Sequence, residues 1–251
     1  MSLPIEVVEA RSNGKCILFV GRRASMEAVT AQEQDYPGEK KMARLLAGKK
    51  MEIKDALDGA VRRLGAEGLA KELEVHLACN KAEPGEFHHA AVRHFSLIFT
   101  TCQDDLLERA AQSQGLSVEV YYRGDPLPQP DPEKLQIYKI WGCFSRPDTL
   151  VFRPEDFEDR PVEENLRKSL RKLLVRNVVF FVGYRPDEVE FAWVYEELET
   201  GFGGKLPRIH LAVAQGRISD YYWQKWVWKG LLLFTAGPAN VMRQVEATLD
   251  E

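Results

Sequence analysis

Short apolar runs alternate along the chain with longer segments in which apolar residues recur at helical spacing. The clearest run is NVVFFV at 177–182, which ends at Gly183, and the run KCILFV at 15–20 ends in the same way at Gly21. A short, continuous apolar run that stops at a glycine is typical of a strand buried on both faces of a sheet. The same pattern predicts four more strands, at 95–100, 136–141, 208–214 and 231–235.

Four other segments carry apolar residues three and four positions apart, which places those residues on one face of a helix. Asp104 and Asp105 precede the second of these segments, and carboxylates stabilise the first turn of a helix through its dipole. We therefore predict amphipathic helices in these places. The segments are 53–64, 106–111, 166–174 and 191–198.

The alternation of strands and helices predicts an α/β fold class, with a Rossmann-like, doubly wound and mostly parallel sheet covered by helices on both faces. The stretch 36–94 differs from the rest, because it is helical throughout in pattern and rich in Lys, Arg and Glu. We interpret this stretch as a helical insertion after the first loop. A length of 251 residues suffices for one large core, so we expect residues 1–251 to form a single domain.

Charge and cysteine content argue against several classes of protein. The chain has 34 Lys and Arg against 38 Asp and Glu, a net charge of −4, whereas nucleic-acid and anionic-membrane binders need a strong positive field. No apolar run approaches the roughly 20 residues of a bilayer span, and Glu6 and Glu9 interrupt the region where a secretory signal would be apolar. The four cysteines are widely spaced, which favours reduced thiols over disulfides or a metal site. We expect a cytoplasmic protein that holds no metal.

The residues after the predicted strands are the first candidates for a site, because ligands of open parallel sheets bind beyond the carboxyl ends of the strands. Gly21 permits a tight turn, and the backbone N–H groups at the start of the following helix are suited to a phosphate. Each segment taken alone also fits an ordinary turn with a helix cap. The segments are Gly21-Arg22-Arg23-Ala24-Ser25, Thr100-Thr101-Cys102-Gln103-Asp104, Trp141-Gly142-Cys143 and Gly183-Tyr184-Arg185-Pro186-Asp187.

Taken together and in this order, these segments resemble the sirtuin-like NAD-consuming domains of bacteria, in the branch found in antiphage defence systems. The resemblance extends from Lys15 to Gly237, and it implies NAD or ADP-ribose as the ligand and cleavage of the nicotinamide–ribose bond as the family reaction. The matching residues are Gly21, Ser25, Thr100, Thr101, Asp104, the run 105–108, Lys139-Ile140-Trp141-Gly142, Leu150-Val151-Phe152, Glu155-Asp156-Phe157, Gly183, Tyr184 and Asp187. The residues that the resemblance assigns to the ligand are Gly21, Arg22, Arg23, Ser25, Thr100, Thr101, Gly183, Tyr184, Arg185 and Asp187.

The chain departs from this family at the positions that carry the reaction. Of the catalytic positions Trp141, Cys102 and Asp104, only the last keeps the family residue, since Trp141 replaces a catalytic His and Cys102 replaces an Asn. An indole N–H only donates hydrogen bonds, so it cannot take a proton from a ribose hydroxyl or a water. Loss of a general base typically lowers a rate by about 10²–10⁴-fold. The resemblance therefore implies a catalytically degenerate member.

Three functions remain open at this point. The chain is a nucleotide-binding module that acts as a sensor or partner-binding subunit, or an active NAD hydrolase that uses another base, or a structural subunit whose cleft is filled. Arginine binds phosphate in bidentate fashion, so Arg22, Arg23 and Arg185 favour the first. A bulky Arg23 at a glycine position of the family, together with Trp141, favours the third. A protein partner or a second copy of the chain fits the first and the third.

Two histidines and two thiols are the other sources of a base or nucleophile. His88 and His89 lie in the predicted helix before the second strand, where a structural histidine is the expected role. Cys102 and Cys143 follow two strand ends but have no local base, and buried thiols of this kind are unreactive.

Overall fold

The computed structural model describes residues 3–30, 39–77, 82–152, 170–202, 209–213 and 218–248. The strands in this part of the chain are β1 (Cys16–Val20), β2 (Val29–Thr30), β3 (Ala82–Glu83), β4 (Leu97–Thr100), β5 (Val118–Tyr122), β6 (Leu135–Lys139), β7 (Val178–Tyr184), β8 (Ile209–Val213) and β9 (Leu231–Thr235). Seven of them form one parallel sheet in the order β5-β6-β4-β1-β7-β8-β9, and β2 pairs with β3 in a separate antiparallel sheet. The predicted fold class is confirmed.

Helices connect the strands of the large sheet. The described α-helices are α1 (Ile5–Ser12), α2 (Glu39–Ala47), α3 (Ile53–Leu77), α4 (Glu86–His94), α5 (Leu106–Ser113), α6 (Val189–Phe202), α7 (Asp220–Trp228) and α8 (Pro238–Ala247). Short 3₁₀ helices cover Arg22–Glu27 and Pro147–Thr149. Residues 170–174 are helical as predicted, whereas the start of that predicted segment, at 166–169, lies outside the described residues.

The six predicted strands correspond to strands of the large sheet, with small differences at their ends. The run at 136–141 forms a strand only as far as Lys139, so Ile140 and Trp141 lie beyond its carboxyl end. Strand β5 was not predicted from the sequence. It lies at the edge of the sheet and all five of its residues are half-buried, so its sequence VEVYY shows no continuous apolar run.

Alternate residues of the strands pack into two cores, one on each face of the sheet. In β1, Cys16, Leu18 and Val20 join the core formed with α1, α4, α5 and α8, and Ile17 and Phe19 join the core formed with α6 and α7. Burial on both faces is the reason that the central strands are apolar at every position.

The stretch 36–94 contributes to two different cores. Helices α2 and α3 pack with each other and with Phe144, Leu150 and Phe152 in a third core. Helix α4 instead packs on the large sheet. The expectation that this stretch is helical throughout is wrong at β3, because Ala82 and Glu83 pair with β2. That 36–94 is an insertion within one domain stays a prediction.

His88 on α4 is buried, and its Nδ1 accepts the Gly85 N–H at 3.1 Å. Burial lowers its pKa from 6.5 to about 4, although the charge of Asp104 opposes the shift. The unfolded chain therefore binds a proton at this side chain between pH 6.5 and 4 that the folded chain does not bind, and stability falls as the pH drops through this window.

We expect the Tm to decrease on acidification from pH 7 to 4, and the substitution His88→Gln to flatten part of that decrease. Burial lowers the pKa of His94 as well, so a smaller slope remains. The matched control is His89→Gln at the neighbouring position, which keeps His88 and should keep the full slope. Thermal melts at several pH values measure this, and identical slopes in both variants would contradict the role of His88.

Candidate functional site

The carboxyl ends of β6, β4, β1 and β7 lie side by side, and we call this part of the molecule the strand-end edge. The register pairs Val20 with both Thr100 and Val182, and Thr100 with Lys139. The chain adds β4 and β6 on one side of β1 and then β7, β8 and β9 on the other side. Such a reversal of strand order opens a crevice that binds ligands in open α/β sheets. The predicted site residues therefore meet at one edge, as their spacing after the strands implied.

The carbonyl oxygen of Val20 ties three strands together at this edge. It accepts the Thr101 N–H at 3.1 Å, the Thr100 hydroxyl at 3.0 Å and the Tyr184 hydroxyl at 3.2 Å. The Thr100 hydroxyl oxygen in turn accepts the Cys102 N–H at 2.9 Å. The threonines that were predicted to bind a ligand thus hold the ends of β1, β4 and β7 in place.

Gly21 and Gly183 face each other across β1 and β7. A Cβ atom on Gly21 would lie 2.6 Å from the Gly183 carbonyl oxygen, and a Cβ atom on Gly183 would lie 2.8 Å from the Ala24 nitrogen. Gly183 also has a φ of +79°, a left-handed conformation that favours glycine. The two glycines are required by this close approach of backbones.

Glu190 at the start of α6 places a buried carboxylate beside the first loop. It accepts the Arg22 N–H at 3.1 Å, the Arg22 Nε at 3.4 Å and the Thr101 hydroxyl at 2.5 Å. Burial, reinforced by the charge of Glu190, raises the pKa of Tyr184 well above its ordinary value, so this phenol stays neutral. The loop N–H that the sequence suggested for a phosphate is bonded here to a side chain of the protein.

The two other arginines of the edge also face carboxylates. Arg23 pairs with Glu188, with 3.1 Å between Nε and both carboxylate oxygens, and Arg185 donates to both oxygens of Asp187 at 2.8 Å. Burial acts to raise the pKa of Asp187, but the hydrogen bonds and charge of Arg185 outweigh it, and the pKa is lowered. Each arginine of the strand-end edge therefore has its charge balanced within the chain.

Asp104 has a structural role as well as a position at the edge. Its Oδ2 accepts the Ser25 hydroxyl at 2.7 Å, and its Oδ1 accepts the Leu106 N–H at 3.2 Å at the start of α5. Its carbonyl oxygen accepts a hydrogen bond from Lys139 Nζ, which also lies 2.9 Å from Glu108 Oε1. Ser25 and Asp104 thus join the segment 21–25 to the end of β4.

Trp141 lies just past β6 with its indole in the core on the α6 side of the sheet. The residue is 6 % exposed, and its ring centroid lies 5.9 Å from that of Trp193. Its carbonyl oxygen accepts the Val151 N–H at 3.1 Å and Gln103 Nε2 at 3.3 Å. The indole of Trp141 therefore serves as packing.

The two thiols at the strand ends are buried. Burial, aided by the charge of Asp104, raises the pKa of Cys102 to about 12, so the group is a neutral thiol near pH 7. Cys143 is also buried, and its sulfur accepts the Ser145 hydroxyl at 3.2 Å. Both are structural in this geometry, as buried thiols without a base were expected to be.

None of the four histidines whose side chains the structure describes is without a polar neighbour inside the chain. His88 accepts the Gly85 N–H, His89 Nδ1 lies 3.4 Å from Gln114 Nε2, and His94 lies 3.4 Å from a Glu246 oxygen. His210, on β8, lies 3.2 Å from a Glu6 oxygen.

Neither a metal cluster nor a membrane span is found in the part of the chain that the structure describes. No group of three or more His, Cys, Asp and Glu side chains there is arranged to hold a metal ion. None of the helices there is both long enough and apolar enough to cross a bilayer.

Residues 96–230, more than half of the chain, match the SIR2-like domain family. The chain belongs to this family. Two solved SIR2 homologues show the same fold as this SIR2-like chain. One is a complex with NAD, at 12 % identity and a TM-score of 0.51 over 99 % of this chain and 94 % of that chain. The other is a His-to-Asn variant in complex with ADP-ribose, at 14 % identity and a TM-score of 0.52 over 99 % and 97 %. A comparison with curated proteins finds no match.

The SIR2-like match covers the strand-end residues that follow β4, β6 and β7, and Gly21 to Ser25 lie before it. Sequence reasoning missed Glu188 and Glu190, which balance two of the arginines in this SIR2-like site. A signal for them existed, since three acidic residues stand within five positions after Arg185. The segment Glu155-Asp156-Phe157 of the resemblance lies outside the described residues.

Proposed function

We propose that this SIR2-like chain binds an adenine nucleotide of the NAD or ADP-ribose type at the strand-end edge and does not hydrolyse it. Both solved homologues are complexes with ligands of this class, which supports the choice of ligand. Arg23 and Arg185 lie at the edge with their guanidinium groups partly exposed, and guanidinium is well suited to phosphate. The proposed ligand-binding residues are those named from the resemblance, from Gly21 after β1 to Asp187 after β7.

The observation that carries the proposal is the buried indole of Trp141. Cleavage of the nicotinamide–ribose bond needs a group that takes a proton, and an indole N–H is a donor only. Cys102, at the end of the neighbouring strand β4, is a neutral thiol with a pKa of about 12. The strand-end framework of the SIR2-like fold is therefore kept while its proton acceptor is missing.

The active-hydrolase alternative needs a base at another position. Among the described histidines we consider His88 as such a base, because the charge of Asp104, a residue of the strand-end edge, acts on its pKa. Its Nδ1 already accepts the Gly85 N–H, and burial lowers its pKa to about 4. A group with so low a pKa is a weak base, so the geometry does not favour this alternative.

A structural subunit without a ligand is the second candidate, and Glu190 favours it. Its carboxylate holds the Arg22 N–H of the first loop, where the sequence placed a ligand phosphate. For the nucleotide-binding candidate the proposed role is that of a sensor or partner-binding subunit in the bacterial cytoplasm, within a defence system, and for the second candidate it is that of a structural subunit of a larger assembly. The partner is another protein or a second copy of the chain.

Thermal melts with ADP-ribose and with NAD separate the two candidates. A ligand at 100 times its Kd stabilises the folded state by about 2.7 kcal/mol, so we expect a measurable rise in Tm with either nucleotide. The variant Arg23→Ala should lose this rise, because it leaves Glu188 to repel the phosphates. The matched control Arg243→Ala removes a guanidinium from an exposed ion pair with Glu86 on another surface, and it should keep the rise.

Nicotinamide release from NAD tests the absence of hydrolysis in the same samples. We expect wild-type protein to release nicotinamide no faster than a buffer blank. Release at tens of times the blank rate would restore the hydrolase alternative. If wild-type protein binds neither nucleotide at millimolar concentration, the result favours the structural subunit.

A further inference from the structure

Hydrogen-bond donors from two strand ends converge on one buried carboxylate. The Arg22 N–H, the Arg22 Nε and the Thr101 hydroxyl all reach oxygens of Glu190, whose side chain is 1 % exposed. Converging N–H, guanidinium and hydroxyl donors are the groups that recognise an anion in a protein. At the strand-end edge this anion is a side chain of the chain itself.

We propose that Glu190 is an internal anion that limits the binding of phosphate-bearing nucleotides at the strand-end edge. The inference rests on the proposed function, because it concerns the ligand of the same site. While the carboxylate is in place, the hydrogen-bond donors of Arg22 and Thr101 are bonded to it. A phosphate that approaches these donors meets the negative charge of Glu190. Like charges placed opposite each other in a binding site lower affinity. A nucleotide must then displace Glu190 or bind farther out, towards Arg23 and Arg185.

The two ion pairs Arg23–Glu188 and Arg185–Asp187 are more exposed to solvent than Glu190. The Arg23 and Glu188 side chains are 28 % and 13 % exposed, and those of Arg185 and Asp187 are 11 % and 28 % exposed. Water and salt screen such pairs, and their members separate at little cost. The charge of Glu190 is screened least, so it has the largest effect on a bound phosphate.

The test is the affinity of the Glu190→Gln variant for ADP-ribose. Glutamine keeps the size of the side chain and one carbonyl oxygen that accepts the Arg22 N–H and the Thr101 hydroxyl, but it removes the charge. We expect the Kd for ADP-ribose to fall by about tenfold or more at low salt, measured by titration calorimetry. The Kd for adenosine, which has no phosphate, should stay the same.

The matched control is Glu196→Gln, on the exposed face of the same helix α6. It makes the same change in net charge six positions along the helix, about 9 Å from Glu190 by the helical rise. At about 0.15 M salt, which screens exposed charges over about 8 Å, the Kd for ADP-ribose should change by less than about twofold. A gain of equal size in this control would overturn the inference, because it would arise from net charge alone.

A second variant, Arg22→Ala, keeps the inference testable if Glu190→Gln does not fold. Because this change leaves the Glu190 carboxylate without its cation, the Kd for ADP-ribose should rise by about tenfold at low salt, whereas the Kd for adenosine should stay the same. An unchanged Kd for ADP-ribose would overturn the inference, because the unpaired Glu190 carboxylate would then not oppose the phosphates. Circular dichroism of each variant establishes folding first.

The outcomes separate this inference from the proposed function. If wild-type protein binds ADP-ribose and Glu190→Gln binds it no more tightly, the inference is wrong and the proposed function stands. If only Glu190→Gln binds, the inference is supported and the proposed function of the wild-type chain fails. If neither binds, both are wrong.

Discussion

Replacement of Lys139 by methionine is expected to lower the free energy of unfolding by about 3–5 kcal/mol, because it breaks a buried ion pair by removing one partner. The Lys139 side chain is 1 % exposed, its Nζ lies 2.9 Å from Glu108 Oε1, and it donates to the Asp104 carbonyl oxygen. Burial acts to lower the pKa of Lys139, but the charge of Glu108 outweighs it, and the pKa is raised. Without this ammonium group Glu108, whose side chain is 18 % exposed with Oε2 buried, has lost the cation that it faces.

Urea denaturation at pH 7 measures the loss, and Lys134→Met is the matched control. Lys134 lies 2.8 Å from a Glu119 oxygen, but the two side chains are 54 % and 38 % exposed. Solvent replaces that contact, so the control should show little change in stability. The double variant Lys139→Met with Glu108→Leu should recover part of the loss, because no charge is then buried alone. Equal losses at the two lysines would contradict the importance of burial.

Replacement of Gly183 by alanine is expected to destabilise the protein by about 3 kcal/mol, from a strained backbone combined with overpacking. Its φ of +79° disfavours any side chain, which accounts for about 1–2 kcal/mol. The new Cβ would also lie 2.8 Å from both the Ala24 nitrogen and the Gly21 carbonyl oxygen, and backbone atoms cannot turn away as a flexible side chain does.

Gly230→Ala separates the two causes, because Gly230 has a φ of +87° and no atom within 4 Å of its Cβ position. It should lose only the conformational part, about 1–2 kcal/mol. Denaturation of both variants under the same conditions gives the comparison. If Gly183→Ala lost no more than Gly230→Ala, the contact between the β1 and β7 backbones would not constrain this position.

The strands of the sheet were predictable where their sequence is a continuous apolar run, and this includes the edge strand β9, in which only Leu231 is buried. The residues of β1 and β4 are buried at every position, and such strands read as continuous apolar runs. Strand β5 was not predicted because it is half-buried at the edge and lacks a continuous apolar run. Strands β2 and β3 were not predicted because two residues are too few to form a pattern. The strand ends of the candidate site followed directly from the predicted strands.

The partners of the site residues could not be predicted from local patterns. Arg22 bonds to Glu190 across 168 positions of the chain, and Arg23 bonds to Glu188 across 165. The arginines alone indicated a phosphate site. Their pairing shows that the chain supplies the negative charge itself.

The sequence by itself determined the α/β class and which residues follow the carboxyl ends of the strands, because continuous apolar runs are a local signal of a strand. It also placed Trp141 just after a predicted strand, and its correspondence to the catalytic histidine of the resembling family stays a prediction. Only the tertiary structure decided that the Trp141 indole packs in the core and that Glu190 accepts the hydrogen bonds of Arg22 in the segment 21–25. Contacts of this kind join residues that are distant along the chain, and they form only when parallel strands bring their ends to one edge.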